Sequence, residues 1–102
     1  MVVHIVSFKY RASVDDAARQ DHRARLSALA DMDGILDLKV GEDFVRSPRS
    51  YDTGLVVSFR DRAALDVYAS HPRHEPVAKL GRDLSETIVA VDFDTEGVFI
   101  VS

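Results

Sequence analysis

The stretch YASHPRHEPV, from Tyr68 to Val77, carries two of the chain's four histidines with a tyrosine just upstream. Histidine, with an ordinary pKa of ~6.5, is the side chain best suited to move protons at neutral pH. If a helix starts at Pro72, His74 stands three residues before Val77 and six before Leu80 and leans toward the same buried side. There it has two open roles. As a general base it takes a proton from an acidic C–H or a phenol. As a structural group it bonds a backbone carbonyl and fastens the corner. Tyr68 shares a helical stripe with Leu65 and Ala69, so its hydroxyl either donates to a developing oxyanion or merely accompanies a packed ring. His71 directly precedes Pro72, which biases it to extended backbone and to a structural part in closing a helix. His71 and His74, three residues apart with Glu75 adjacent, offer too few ligands on one face for a zinc site, and no metal is predicted. No Gly-rich phosphate loop or G-x-S-x-G elbow is present, and no cofactor is predicted.

Those side chains must be held by one small domain. The chain has 102 residues, read as a single unit over 1–102 with a core at 2–93 and a C-terminal extension at 94–102. Its net charge of −4 argues against nucleic acid as a partner. It has no cysteine, which removes disulfide and thiolate chemistry and fits a reducing compartment. MVVHIVSFKY lacks the basic region and cleavage site of a signal peptide, and no apolar run reaches the ~20 residues of a membrane span. A cytoplasmic protein without membrane contact is expected.

Period-two patterning makes Val2–Tyr10 a strand, with Val2, His4, Val6, Phe8 and Tyr10 on one face. Ser13 and Asp16 resemble a capping box for a first helix, whose stripe is Val14, Ala18, His22, Leu26 and Leu29, with Arg19, Arg23 and Arg25 mostly off it. This helix should end near Met32–Gly34. A second strand places Leu36, Leu38 and Val40 together, with a possible bulge at Gly41. A third places Leu55, Val57 and Phe59 together. Asp61 caps a second helix, which Pro72 stops and from which a further helical piece begins. Thr87–Phe93 is a fourth strand, and GVFIVS a short fifth strand or an ordered tail. Tyr51–Asp52 reads as structural, with Asp52 in a turn. The order β-α-β-β-α-β predicts an α+β, ferredoxin-like antiparallel sheet with its helices on one face. The other face would still carry apolar residues, and a second copy packed sheet to sheet would cover them.

VVHIVSFKY, SYDTGLVVSF, YASHPRH and VAVDF occur in an order and spacing that resembles the stress-responsive A/B barrel (Dabb) family of the dimeric α/β-barrel superfamily. The resemblance implies two such sheets packing as a dimeric barrel. It also implies a possible activity, since some members are similar to cofactor-free cyclases or lyases acting on polyketide-like and other carbonyl compounds. In those, the second histidine of HPxH is a base and the tyrosine six residues before it assists. Carried onto this chain, these are His74 and Tyr68 as catalytic residues. His71 and Pro72 form the structural part of the motif. The strand-one histidine is His4, and His4, Phe8 and His22 are the candidate substrate contacts. The ligand would be a small, mainly apolar carbonyl or phenolic compound. The first helix, ARQDHRARLSAL, departs from the pattern, with no aromatic ring except His22 to shape a pocket. The alternative is a non-catalytic dimer that binds a small ligand or serves a stress response. A cavity of roughly 300–1,000 Å³ reaching His74 and Tyr68 would favour the enzyme.

Overall fold

The computed structural model describes residues 1–96. Four strands, β1 (Val2–Tyr10), β2 (Ile35–Glu42), β3 (Thr53–Phe59) and β4 (Ser85–Asp94), form one sheet in the order β2-β3-β1-β4. All three neighbouring pairs are antiparallel. The helices are α1 (Asp16–Ser27), α2 (Arg62–Ala69) and α3 (His74–Leu84), with a 3-10 turn at Ala28–Asp31. This is the ferredoxin-like α+β arrangement, its second helical unit split in two. GVFIVS lies outside the described residues.

Register decides which side chains meet. His4 stands opposite Val57 on β3 and Asp92 on β4. Val6 is flanked by Leu55 and Ala90, and Phe8 by Thr53 and Ile88. All of these share the helix-covered face, because side chains two apart on a strand point the same way. Val2, Val6, Phe8, Leu55, Val57 and Phe59 are buried there against Leu26, Leu29 and Tyr68. The opposite face carries Val3, Ile5 and Val56 beside Val89, Val91 and Phe93. Val89, Val91 and Phe93 are 48 %, 53 % and 41 % exposed in the single chain.

Local chemistry shifts several expected boundaries. Ala12 and Ser13 are consumed in a turn closed by Val14 N–H to the Arg11 carbonyl, so Ser13 does not cap α1. Asp15 does, accepting from Ala18 N–H at 2.9 Å. Gly41 pairs regularly with Gly54, and the irregularity in β2 falls between Ile35 and Asp37. That extra residue turns Leu36 outward, 58 % exposed, and Ile35 takes its place beside Leu38 and Val40. Asp61 caps α2 as predicted, accepting from Ala64 N–H at 2.8 Å. The inward side of α2 is Ala64, Leu65 and Tyr68, while Ala69 is exposed. Arg23 is buried rather than off the helix stripe, its Nε donating to Thr53 Oγ1 at 2.8 Å. Gly34, at φ +89°, ends the first crossover, and a Cβ there would stand 2.8 Å from that of Ala64.

Candidate active site

The corner between α2 and α3 sets the site. The His71 carbonyl accepts from His74 N–H at 2.9 Å and Glu75 N–H at 3.0 Å, while its ring Nδ1 accepts from Arg73 N–H at 3.0 Å. His71 thus organises the turn with both backbone and side chain, and α3 begins at His74 rather than Pro72. Pro76 occupies the first turn of α3, where a missing N–H costs no intrahelical bond. Arg73 ties the corner to the end of the first crossover, donating to the Ala28 carbonyl and the Asp31 carboxylate at 2.9 Å each.

Held this way, His74 lies over Tyr68, with ring centroids 4.1 Å apart and planes inclined by 35°. His4 reaches Tyr68 from below, centroid to centroid 6.2 Å, and Phe59 backs the tyrosine at 5.0 Å. A cavity of about 320 Å³ opens among them. Its polar groups are His4, Tyr68, His74 and Arg82, and its apolar wall includes Val6, Phe8, Leu55, Val77, Ile88 and Ala90. It falls within the size range of small-molecule sites.

The protonation pattern follows from the partners. The Nδ1 of His74 lies 3.2 Å from the Ala69 carbonyl, which can only accept, so Nδ1 carries the proton and the lone pair is on Nε2. Burial pushes this imidazole below its ordinary value, the Ala69 bond opposes that, and the nearby His4 and Arg82 add to the lowering. His74 is therefore neutral at pH 7. The Tyr68 hydroxyl is buried with no hydrogen-bond partner among the described residues, and burial pushes its pKa up to about 12. It stays an O–H donor without an acceptor. Nδ1 of His4 is hydrogen-bonded to Oδ1 of Asp92, its cross-strand neighbour. A carboxylate orients an imidazole and fixes its tautomer.

His22 lies elsewhere. It is fully buried, with its ring edge-on to Phe8 at 4.8 Å and to Tyr10 at 5.5 Å. The structure thus brings His4, Phe8, Tyr68 and His74 to one cavity and leaves His22 behind Phe8. A hydrogen-bonded chain links Arg23, whose Nε donates to Thr53 Oγ1, through the Thr53 and Tyr10 hydroxyls 2.9 Å apart, to His22 Nδ1, 2.7 Å from the Tyr10 hydroxyl. Burial, aided by the Arg23 charge, lowers the His22 pKa to about 4.

Two polar groups escaped the reading of motifs. Asp92 becomes a partner of His4 only once β1 and β4 are paired, and the signal was an acid on the inward-alternating positions of a predicted strand. Arg82 follows His74 by eight residues on α3, a helical spacing that places both on one side.

A ferredoxin-like sheet bearing this corner defines the class, and comparison with known proteins agrees. The chain matches the stress responsive A/B barrel domain over residues 2–95 and belongs to that family. A search of curated proteins finds no match. Among solved structures, a dimeric ferredoxin-like protein of unknown function from Thermobifida fusca is 22 % identical, covering 90 % of this chain and 88 % of its own, with a TM-score of 0.83. A second dimeric ferredoxin-like protein, from Jannaschia sp. CCS1, is 26 % identical over 92 % of this chain and 98 % of its own, with a TM-score of 0.78. The hydroxynitrile lyase of Passiflora edulis is 18 % identical over 97 % and 96 %, with a TM-score of 0.85.

Proposed function

We propose that the protein is a homodimeric, cofactor-independent enzyme of the lyase or cyclase type, which moves a proton on a small, mainly apolar carbonyl or phenolic compound. The observation that carries this reading is a cavity in which a neutral His74 and an unpartnered Tyr68 hydroxyl stand side by side. An orphaned buried hydroxyl is costly unless something arrives to accept its proton. In the proposed step, Nε2 of His74 removes a proton from carbon or a phenol. Tyr68 O–H donates to the oxygen where negative charge develops, and the proton returns from His74 to complete the turnover. His4, held by Asp92, orients the substrate, and Phe8, backed by His22, shapes the wall.

The dimer completes the picture. The open face of Val3, Ile5, Val56, Val89, Val91 and Phe93 is the surface that a second copy would cover. Two of the similar structures are described as dimeric. The likeness to a hydroxynitrile lyase supports a fold that has carried lyase chemistry, not its substrate. No described helix is long and apolar enough to cross a membrane, and a cysteine-free chain suits the cytoplasm.

Keto-to-enol conversion of benzoylacetone, followed by ultraviolet absorbance, tests the proton transfer. His74→Ala should lower the rate by about 100-fold or more while the protein keeps its fold and dimer. An undiminished rate in that variant removes His74 from the chemistry.

A further inference from the structure

We infer that the substrate carries a carboxylate or similar anionic group remote from its reacting carbon, and that Arg82 receives it. This deepens the reading above and rests on the same cavity. His74, Ala78 and Arg82 stand at i, i+4 and i+8 on α3 and so form one row. All three line both the inner cavity and an outer groove of about 670 Å³. They are the residues the two spaces share, and Ala78, between the other two, has the smallest side chain. A ligand crossing there meets a base at one end of the row and a guanidinium at the other.

The charges along the row are arranged unequally. Arg73 at the corner is paired with Asp31 and Lys79 with Asp83, at 2.9 and 2.8 Å. Among the described residues Arg82 has no carboxylate within 4.0 Å. Among the described residues the inner cavity has no Asp or Glu in its lining, and the acid lining the groove, Glu75, is beside His74 at the far end. An anion near His74 therefore meets Glu75, whereas the carboxylate next to Arg82, Asp83, is already paired with Lys79. The backbone rises ~12 Å from His74 to Arg82, so an anion at Arg82 is remote from the reacting carbon. Guanidinium binds carboxylate in a two-pronged geometry that an ammonium cannot copy. The Arg82 charge also disfavours protonation of His74, so an arriving carboxylate would offset it and strengthen the base.

The probes are benzoylacetone and its para-carboxylate, with dissociation constants measured by calorimetry on the dimer. Wild type should bind the carboxylate about tenfold tighter, a preference that shrinks at high salt. Arg82 is exposed, so Arg82→Gln leaves the core untouched. In that variant the preference should fall to within about twofold, and Arg82→Lys should keep part of it. No preference in wild type, a preference that survives Arg82→Gln, or binding of neither probe at millimolar concentration overturns the inference. The two readings fail separately. An Arg82-dependent preference together with a His74→Ala variant as fast as wild type would sink the base and keep the anion site. A slow His74→Ala variant without the preference does the reverse.

Discussion

Among the described residues the Tyr68 hydroxyl has no hydrogen-bond partner, so its removal should cost the fold nothing. Tyr68→Phe is expected to match wild type in urea unfolding or gain up to about 1 kcal/mol, while turnover falls by roughly 100-fold. A structural hydroxyl would show the opposite, lower stability with unchanged rate. His22 has a different consequence. Its pKa drops from 6.5 to about 4 in the folded chain. As pH falls through 6.5 the unfolded chain takes up a proton that the native state refuses. The stability this contributes is complete above 6.5 and is lost as pH falls toward 4, roughly 3 kcal/mol in all. His74, also lowered by burial, acts in the same direction. Unfolding at pH 7 and pH 4.5 should show the loss in wild type and a smaller one in His22→Leu; equal losses would remove His22 as the cause. At this scale Tyr68 and His74 were legible because one motif carries both. The His4–Asp92 bond was not, because period-two patterning assigns a face but not a neighbouring strand.

At the scale of elements, α3 sits unusually close to the sheet. A Cβ on Gly81 would stand 3.0 Å from Phe8 Cε1 and 3.1 Å from His22 Nε2. Gly81→Ala gains about 1 kcal/mol in helix propensity, yet it should destabilise the protein by about 1–3 kcal/mol through overpacking. Because Phe8 also lines the cavity, the same variant should weaken probe binding. A more stable Gly81→Ala protein would show that α3 has room to move. Element existence was readable from periodicity, and Asp61 and Pro72 marked the ends of α2 correctly. Boundaries failed where a competing local bond won, as at Ser13, and where one extra residue in β2 reversed the facing of Leu36. No side-chain type announces such an insertion.

At the scale of the whole molecule, an apolar open sheet face needs a cover. Val91→Asp puts a charge on that face between Val89 and Phe93, beside Ile5 on the inner strand β1. It should yield a folded monomer by sedimentation at micromolar concentration, since Val91 is 53 % exposed in the single chain and packs on no helix. A dimer undisturbed by Val91→Asp would move the interface elsewhere. The apolar surplus that predicts a partner was visible in the alternation of β1 and β4. The cavity was not, because its volume depends on how closely α3 approaches the sheet, and Gly81, the residue that permits it, is only one of five glycines in the chain.

A neutral His74 acting as the base in this cavity is tested most directly by the pH dependence of kcat/KM for keto-to-enol conversion. With the imidazole pushed below its ordinary value, the midpoint of the acid limb should lie below pH 6.5, and His74→Ala should abolish both plateau and fall. A His74→Ala enzyme with the wild-type rate and the same acid limb would contradict the account.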